Sequence, residues 1–253
     1  MNREQYFWDI ILPELTKLFI KPWGKRPIDI NQRQRVATKF AVRALRRIMA
    51  VDALFKAGYY WESHALVRNG YEDWLQIAYL MRESGEARCR DFAKDIHKHD
   101  ARVYDAFKAL CGPDSTDLIF RKIPPKVLPF VGLPRTKTRL KSFVFLATDV
   151  GLHKLHNFVY TYLSERSHPS GRIEELFDRS GSIGVARIPR RDPSEETRLA
   201  LWLSWFTARI FVLASKEFNI DRESFCSEYL LPIIGTSRTN LETCVFVKEY
   251  GVQ

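Results

Sequence analysis

The sequence predicts an all-α protein: a helical bundle of long antiparallel helices around an apolar late helix, with a small C-terminal appendage. Three observations predict it. Glycine is scarce, 12 in 253 residues, below the usual share of about 7%. Apolar residues recur at intervals of three and four over several long stretches, the period of one face of a helix. The segment Leu199 to Ser215 is hydrophobic nearly all round, which belongs in the middle of a bundle rather than on its surface.

Each element has its own signals. Phe7, Ile10, Ile11, Leu15 and Leu18 give a short first helix, kinked or cut by Pro13. Pro22 to Pro27 breaks the chain, and Asp29 or Asn31 can cap a long helix that runs to about Ala57 and stops at Gly58. Leu66, Trp74, Ile77, Ala78 and Met81 describe a second long helix from Trp61 to Ser84, with Gly85 as its natural C-cap. Phe92, Ile96, Val103, Tyr104 and Phe107 carry a third from Glu86 to Leu110, closed by Gly112-Pro113. Five prolines between Cys111 and Arg139 imply an extended connection with one helical turn near Asp117. Helices resume at about Lys141 to Val150 and His153 to His168. Pro193 with Glu195 and Glu196 starts the apolar helix that ends near Phe218. A short helix from Arg222 to Leu230 and a strand at Cys244 to Val247 complete the chain. The expected organisation is therefore one bundle domain, residues 1–218, containing the proline-rich basic connection 111–139, and an appendage, residues 219–253.

Composition excludes several classes. With 45% hydrophobic and 13% aromatic residues, disorder, collagen and a disulfide scaffold are ruled out. Acids near the N-terminus and the lack of a long apolar run there do not resemble a signal peptide, so a cytoplasmic location is expected. The apolar late helix is short for a membrane span and carries Arg209, so no membrane span is expected. Cys89, Cys111, Cys226 and Cys244 lie far apart, which gives no zinc site and no redox dithiol; they read as reduced, buried thiols. No metal and no cofactor is called for. His97 and His99 look exposed and poorly spaced for chelation, and His153 and His156 read as surface groups near a helix start.

Positive charge is concentrated. The chain has 40 Lys+Arg against 30 Asp+Glu. No acid falls between Asp29 and Asp52, where Arg33, Arg35, Lys39, Arg43, Arg46 and Arg47 lie. Between Asp117 and Asp149 the only charges are Arg121, Lys122, Lys126, Arg135, Lys137, Arg139 and Lys141. Without these thirteen, 27 basic residues face 30 acidic ones, so the surplus is local, and a local surplus points to an anionic partner. Arg35, Lys39, Arg43 and Arg46 or Arg47 form a stripe along one helix face that a phosphate backbone can follow. The structural alternative is a solvated face paired with acids such as Glu86, Asp91 and Asp95 on a neighbouring helix.

Two helices carry polar residues where a bundle helix is normally apolar. His64, Arg68 and Glu72 repeat every four residues, and so do Tyr160, Ser164 and His168. Arg68 can pair with Glu72. His168 lies in the last turn before Pro169, where the negative helix end favours an imidazolium. Arg68, Glu72, Tyr160, Ser164 and His168 together supply a cation, a base and a titrating acid, sufficient for metal-independent phosphodiester cleavage. The same residues also suit a structural network that fixes how two helices pack.

At these residues the sequence resembles a bacterial family of unknown function, numbered fifty-six seventy-seven. The pattern is Leu66-x-Arg68-x-x-x-Glu72 on one helix and Tyr160-x-x-x-Ser164-x-x-x-His168-Pro169 on a later one, within a likeness running from about Val51 to Ser215. That resemblance implies a helical fold and no particular activity. In outline the chain is also similar to HEPN domains, many of them dimeric ribonucleases of toxin and phage-defence systems. Their motif separates an Arg from a His by four to six residues. Thr161, Tyr162 and Leu163 stand at those distances here, and Arg166 is too close. The HEPN likeness implies RNA as partner, a homodimer by analogy only, His168 as acid/base and Arg68 steadying phosphate charge from another helix. The function expected on these grounds is RNA binding, with endoribonuclease cleavage left open. The alternative is a non-catalytic interaction module that binds a protein partner through its basic loop and C-terminal strand.

Overall fold

Asn31 begins the first long helix. Its side chain accepts the Gln34 N–H at 2.8 Å while the Gln34 side chain accepts the Asn31 N–H at 3.0 Å, a reciprocal capping box. This helix, α1 (Gln32–Lys56), ends at Ala57 and Gly58, whose φ of +82° is the left-handed conformation that stops a helix. The computed structural model describes residues 30–82, 85–112, 124–133, 141–167 and 193–219. The expected first helix, the turn near Asp117, the helix at Arg222 to Leu230 and the strand at Cys244 to Val247 lie outside the described residues. So do His168, Pro169, Lys122, Arg135, Lys137 and Arg139.

Five more α-helices follow: α2 (Tyr60–Leu80), α3 (Gly85–Cys111), α4 (Phe143–Asp149), α5 (His153–Ser167) and α6 (Pro193–Lys216), with one 3-10 turn at Leu128–Phe130. Among the described residues there is no strand, and the protein is all-α. α2 packs against each of the other five helices, and α6 packs chiefly on α1 and α2, so the two share the central position. The stretch from Ser194 to Lys216 is long and apolar enough to cross a membrane, but 78% of its most apolar window is buried inside the protein, as a core helix requires.

The core is where these helices meet. Phe40 and Ile48 of α1, Tyr71, Leu75 and Ile77 of α2, Leu163 of α5, and Leu199, Leu203, Phe206 and Ile210 of α6 are almost wholly removed from solvent, each apolar side chain contributing about 1.5–3 kcal/mol. Trp74 stacks on Phe206 at 5.7 Å, and Tyr71 tilts against the same ring at 5.3 Å. α6 approaches α2 closely at Gly70: a Cβ there would sit 2.9 Å from Leu203 Cδ1.

Gly85 does not cap α2, which ends four residues earlier at Met81. It is the first residue of α3, and a Cβ on it would lie 2.4 Å from the Leu80 carbonyl and 2.8 Å from Arg33 Nη1. Arg33 fills the role expected of the glycine. It donates to the Met81 carbonyl at 3.0 Å, satisfying the end of α2, while its Nε pairs with Glu217 at 2.8 Å just beyond α6. α4 starts on Ser142, whose hydroxyl accepts the Phe145 N–H, and ends on Asp149, held by Arg82 at 3.1 Å and Arg88 at 3.4 Å.

Candidate functional site

The basic groove is built by α1, α3 and Lys126, just before the turn at Leu128–Phe130. Arg35 and Lys39 follow one another at four residues on α1, and Arg90 and Lys94 do so on α3; both pairs line a cavity of about 560 Å³ together with Lys126. Lys126 arrives there because its segment is docked on α3: Val127 is buried and the Gly132 N–H donates to Asp105 at 2.9 Å. The groove thus brings Lys126 of the second basic stretch beside Arg35 and Lys39 of the first. It also recruits Arg90 and Lys94, which sequence reasoning missed. No carboxylate lines it among the described residues. Its floor is apolar, with Ile30, Val36, Phe92, Ala93 and Ile96, and Phe92 is fixed by stacking on Phe40 at 5.8 Å. His97 lines it too, and its Nδ1 is shielded from solvent with no protein hydrogen-bond partner.

Further along α1 the stripe changes character. Arg43 reaches Asp73 of α2 at 3.0 Å and Arg47 grips the other oxygen of the same carboxylate. The Asp73 side chain is 2% exposed, so this pair pins α1 to α2. Burial pushes the Asp73 carboxyl above its ordinary value, and the hydrogen bond and charge of Arg47, then Arg43, oppose it. Arg46 is exposed and Arg43 is half exposed, so the helix keeps cations on its outer face. The acid that neutralises this part of the stripe is Asp73, not Glu86, Asp91 or Asp95.

Arg68, Glu72 and Tyr160 come together as their spacing implies. Arg68 Nε donates to Glu72 at 3.0 Å, its Nη2 donates to the Tyr160 hydroxyl at 2.9 Å, and the guanidinium carbon lies 4.8 Å from the Tyr160 ring centre. Burial raises the Glu72 carboxyl above its usual range, against the charge and hydrogen bond of Arg68. The Arg47 charge reaches Glu72 as well, which links this network to the α1 stripe. Ser164, one turn beyond Tyr160, has its hydroxyl buried without a hydrogen-bond partner. α5 is described as far as Ser167, immediately before His168.

His64 does not join them. Its ring is fully buried, Nδ1 faces the Trp61 carbonyl at 2.9 Å, and Nε2 faces Glu195 of α6 at 2.7 Å. Both nitrogens therefore face oxygen atoms. The Tyr162 hydroxyl contacts both Glu195 oxygens at 2.6 and 2.8 Å, and Arg198 donates to Glu195 at 2.9 Å and to Tyr162 at 2.6 Å. Arg166 lies over the Tyr162 ring, 3.7 Å from its centre. Burial works to raise Glu195, but the bonds from His64 and Tyr162 outweigh it and hold the carboxyl below its usual value. Burial, with the Glu195 bond, pushes the Tyr162 phenol up to about 12.

Three burial assignments from sequence are corrected, at His156, Cys111 and His97. His156 is buried, with Nδ1 at 3.2 Å from the Tyr71 hydroxyl and its ring stacked on Tyr160 at 4.7 Å; burial, then the His153 charge, lowers its pKa. Cys111 is exposed rather than buried. Cys89 is buried, and its thiol is pushed up to about 11 by burial, an inert packing residue. His99 is exposed as expected, whereas His97 is half-buried in the groove. Among the described residues no cluster of His, Cys, Asp or Glu is arranged to hold a metal ion.

An all-α bundle with one cationic groove and two polar networks between its helices defines a helical class, not an activity. Residues 34–183 match the model of a family of unknown function, DUF5677, and the chain belongs to that family. The match begins earlier than the likeness read from sequence and stops before α6. It includes the five groove cations, Arg68, Glu72, Tyr160 and Ser164, but not Glu195 or Arg198. No curated protein and no solved structure matches the chain.

Proposed function

We propose that this protein binds RNA along the basic groove and that the Arg68 network, with His168, is the place where metal-independent cleavage of the strand is to be sought. The observation that carries the reading is the groove itself. Arg35, Lys39, Arg90, Lys94 and Lys126 come from three separate segments onto one cavity without a lining carboxylate. Concentrated cations of this kind are the footprint of a phosphate chain. From Arg35 to Arg47 the helix advances about 18 Å, so the stripe leads from the groove toward Asp73 and Glu72. In the cleavage step His168 serves as acid/base, Arg68 steadies phosphate charge, Glu72 orients Arg68, and Tyr160 and Ser164 are supporting donors. Ser164 supports this: its hydroxyl is buried and bonds to nothing in the protein, a condition that calls for an explanation. A homodimer and a role in toxin or phage-defence systems follow only from the HEPN likeness.

The test measures RNA binding and cleavage side by side in the absence of metal. Comparing wild type with Lys39→Glu/Lys94→Glu and with His168→Ala separates the two halves of the proposal. Single-stranded RNA engaging all five groove cations gives a salt slope of about −3 to −4, and the double reversal removes most of the affinity without unfolding the protein, because both side chains are exposed. Cleavage disappears in a folded His168→Ala protein. Wild-type RNA binding that ignores the double reversal sinks the groove assignment. Absence of cleavage, with His168→Ala only lowering the melting temperature, leaves the Arg68 network structural and turns the search to protein partners.

A further inference from the structure

Cations alone do not explain this groove, because its floor is apolar and its volume is that of a ligand pocket rather than a flat electrostatic face. Phe92, Ile96 and Ala93 of α3 and Val36 of α1 lie between the rim cations. A phosphate chain has no use for such a surface. A nucleobase does: its face is apolar and its phosphates are anionic, so an unpaired nucleotide matches floor and rim at once. His97 adds the polar element. The residue lines the cavity, with Gln32 and Thr38 across from it on α1, and its Nδ1 is shielded and without a hydrogen-bond partner; a few polar groups in a mostly apolar pocket are what orients a ligand.

We propose that the α1–α3 groove seats an unpaired base of the RNA strand, with the base on the Phe92–Ile96 floor, its edge toward His97, and the flanking phosphates on Arg35, Lys39, Arg90, Lys94 and Lys126. The protein thereby selects single-stranded RNA over duplex. This rests on the RNA reading above and deepens it. A paired base hides its faces in the stack and offers the floor nothing.

The experiment measures fluorescence anisotropy of the whole chain with three probes: a single-stranded RNA of about a dozen nucleotides, the same strand annealed to its complement, and an abasic strand with the same number of phosphates. The single strand is expected to bind roughly tenfold or more tighter than the other two. Ala93→Trp fills the floor and leaves every cation in place, so it should bring single-strand affinity down to the abasic level with an unchanged salt slope. Duplex or abasic strand binding as tightly as the single strand overturns the base seat while the charge-based reading survives. If none of the three probes binds wild type, both readings fail together. The probe comparison uses the wild-type protein, so its outcome does not depend on whether Ala93→Trp folds.

Discussion

Two polar networks bridge α2 and α5, one helical turn apart, and their carboxylates are treated in opposite ways. His64 and Arg68 are four residues apart on α2, and Tyr162 and Tyr160 are two apart on α5. Around Glu195 the network draws in a third helix, surrounds the carboxylate with His64, Tyr162 and Arg198, and holds its pKa down. Around Glu72 the carboxylate is supported chiefly by Arg68, its pKa is pushed up by burial, and Ser164 nearby is left unbonded. The first arrangement is what a packing lock needs. The second joins two helices instead of three and leaves the Ser164 hydroxyl, one turn beyond Tyr160, buried without a hydrogen-bond partner, the feature on which its proposed role rests.

The largest effect separating the two falls on Glu195. Glu195→Leu leaves the His64 ring, Arg198 and Arg166 without their shared carboxylate, and breaking one side of a buried pair costs about 3–5 kcal/mol. Urea unfolding is the measurement. Glu195→Gln, which keeps an acceptor for Tyr162 and Arg198, should recover part of that loss. A loss below about 1 kcal/mol for Glu195→Leu would mean the network holds nothing, since ordinary surface substitutions stay within about 0.5 kcal/mol.

A smaller effect is expected at Arg68. Arg68→Met removes hydrogen bonds from a half-buried cation, worth about 1.5–3 kcal/mol for a charged group before the retained packing of the Met chain offsets part of it. The same variant should abolish any cleavage. A stability loss equal to that of Glu195→Leu would erase the distinction and make both networks locks.

Much of the fold was legible because its signals are local. The cap at Asn31, one of the two candidates with Asp29, the stop at Gly58 and the Pro193-Glu195-Glu196 start each act within one turn and appear where their positions imply. Arg68, Glu72 and Tyr160 were legible for a related reason: a spacing of four fixes a shared face, and two such faces on packed helices meet. The Glu195 network was not legible, because Glu195 lies 131 residues from His64 and reads as an ordinary first-turn acid that favours a helix N-terminus. Arg90 and Lys94 were hidden by averaging along the chain. Asp91 and Asp95 cancel them in a linear count, but residues four apart share a face that their immediate neighbours do not. Gly85 misled since a glycine after an apolar periodic run normally caps it. Here the Arg33 guanidinium arrives from α1 and occupies the space a side chain would need.

The smallest effect is a matter of sign, and it tests the comparison most directly. Glu195 titrates below its ordinary value of 4.5 in the folded chain, so the unfolded chain holds that proton more tightly; the stability it contributes is present above 4.5 and is lost as pH falls through the folded value. Glu72 and Asp73 titrate above their ordinary values of 4.5 and 3.8. For them the folded chain holds the proton more tightly, so stability is gained below the unfolded values and is lost as pH rises through the folded ones. Urea midpoints of wild type, Glu195→Gln and Glu72→Gln across the acid range separate the terms. Relative to Glu195→Gln, wild type should weaken on acidification below 4.5. Relative to Glu72→Gln, it should weaken on going from 4.5 upward. Two differences of the same sign would show that both carboxylates sit in equivalent environments, and the contrast between the Glu195 and Glu72 networks would have no electrostatic basis.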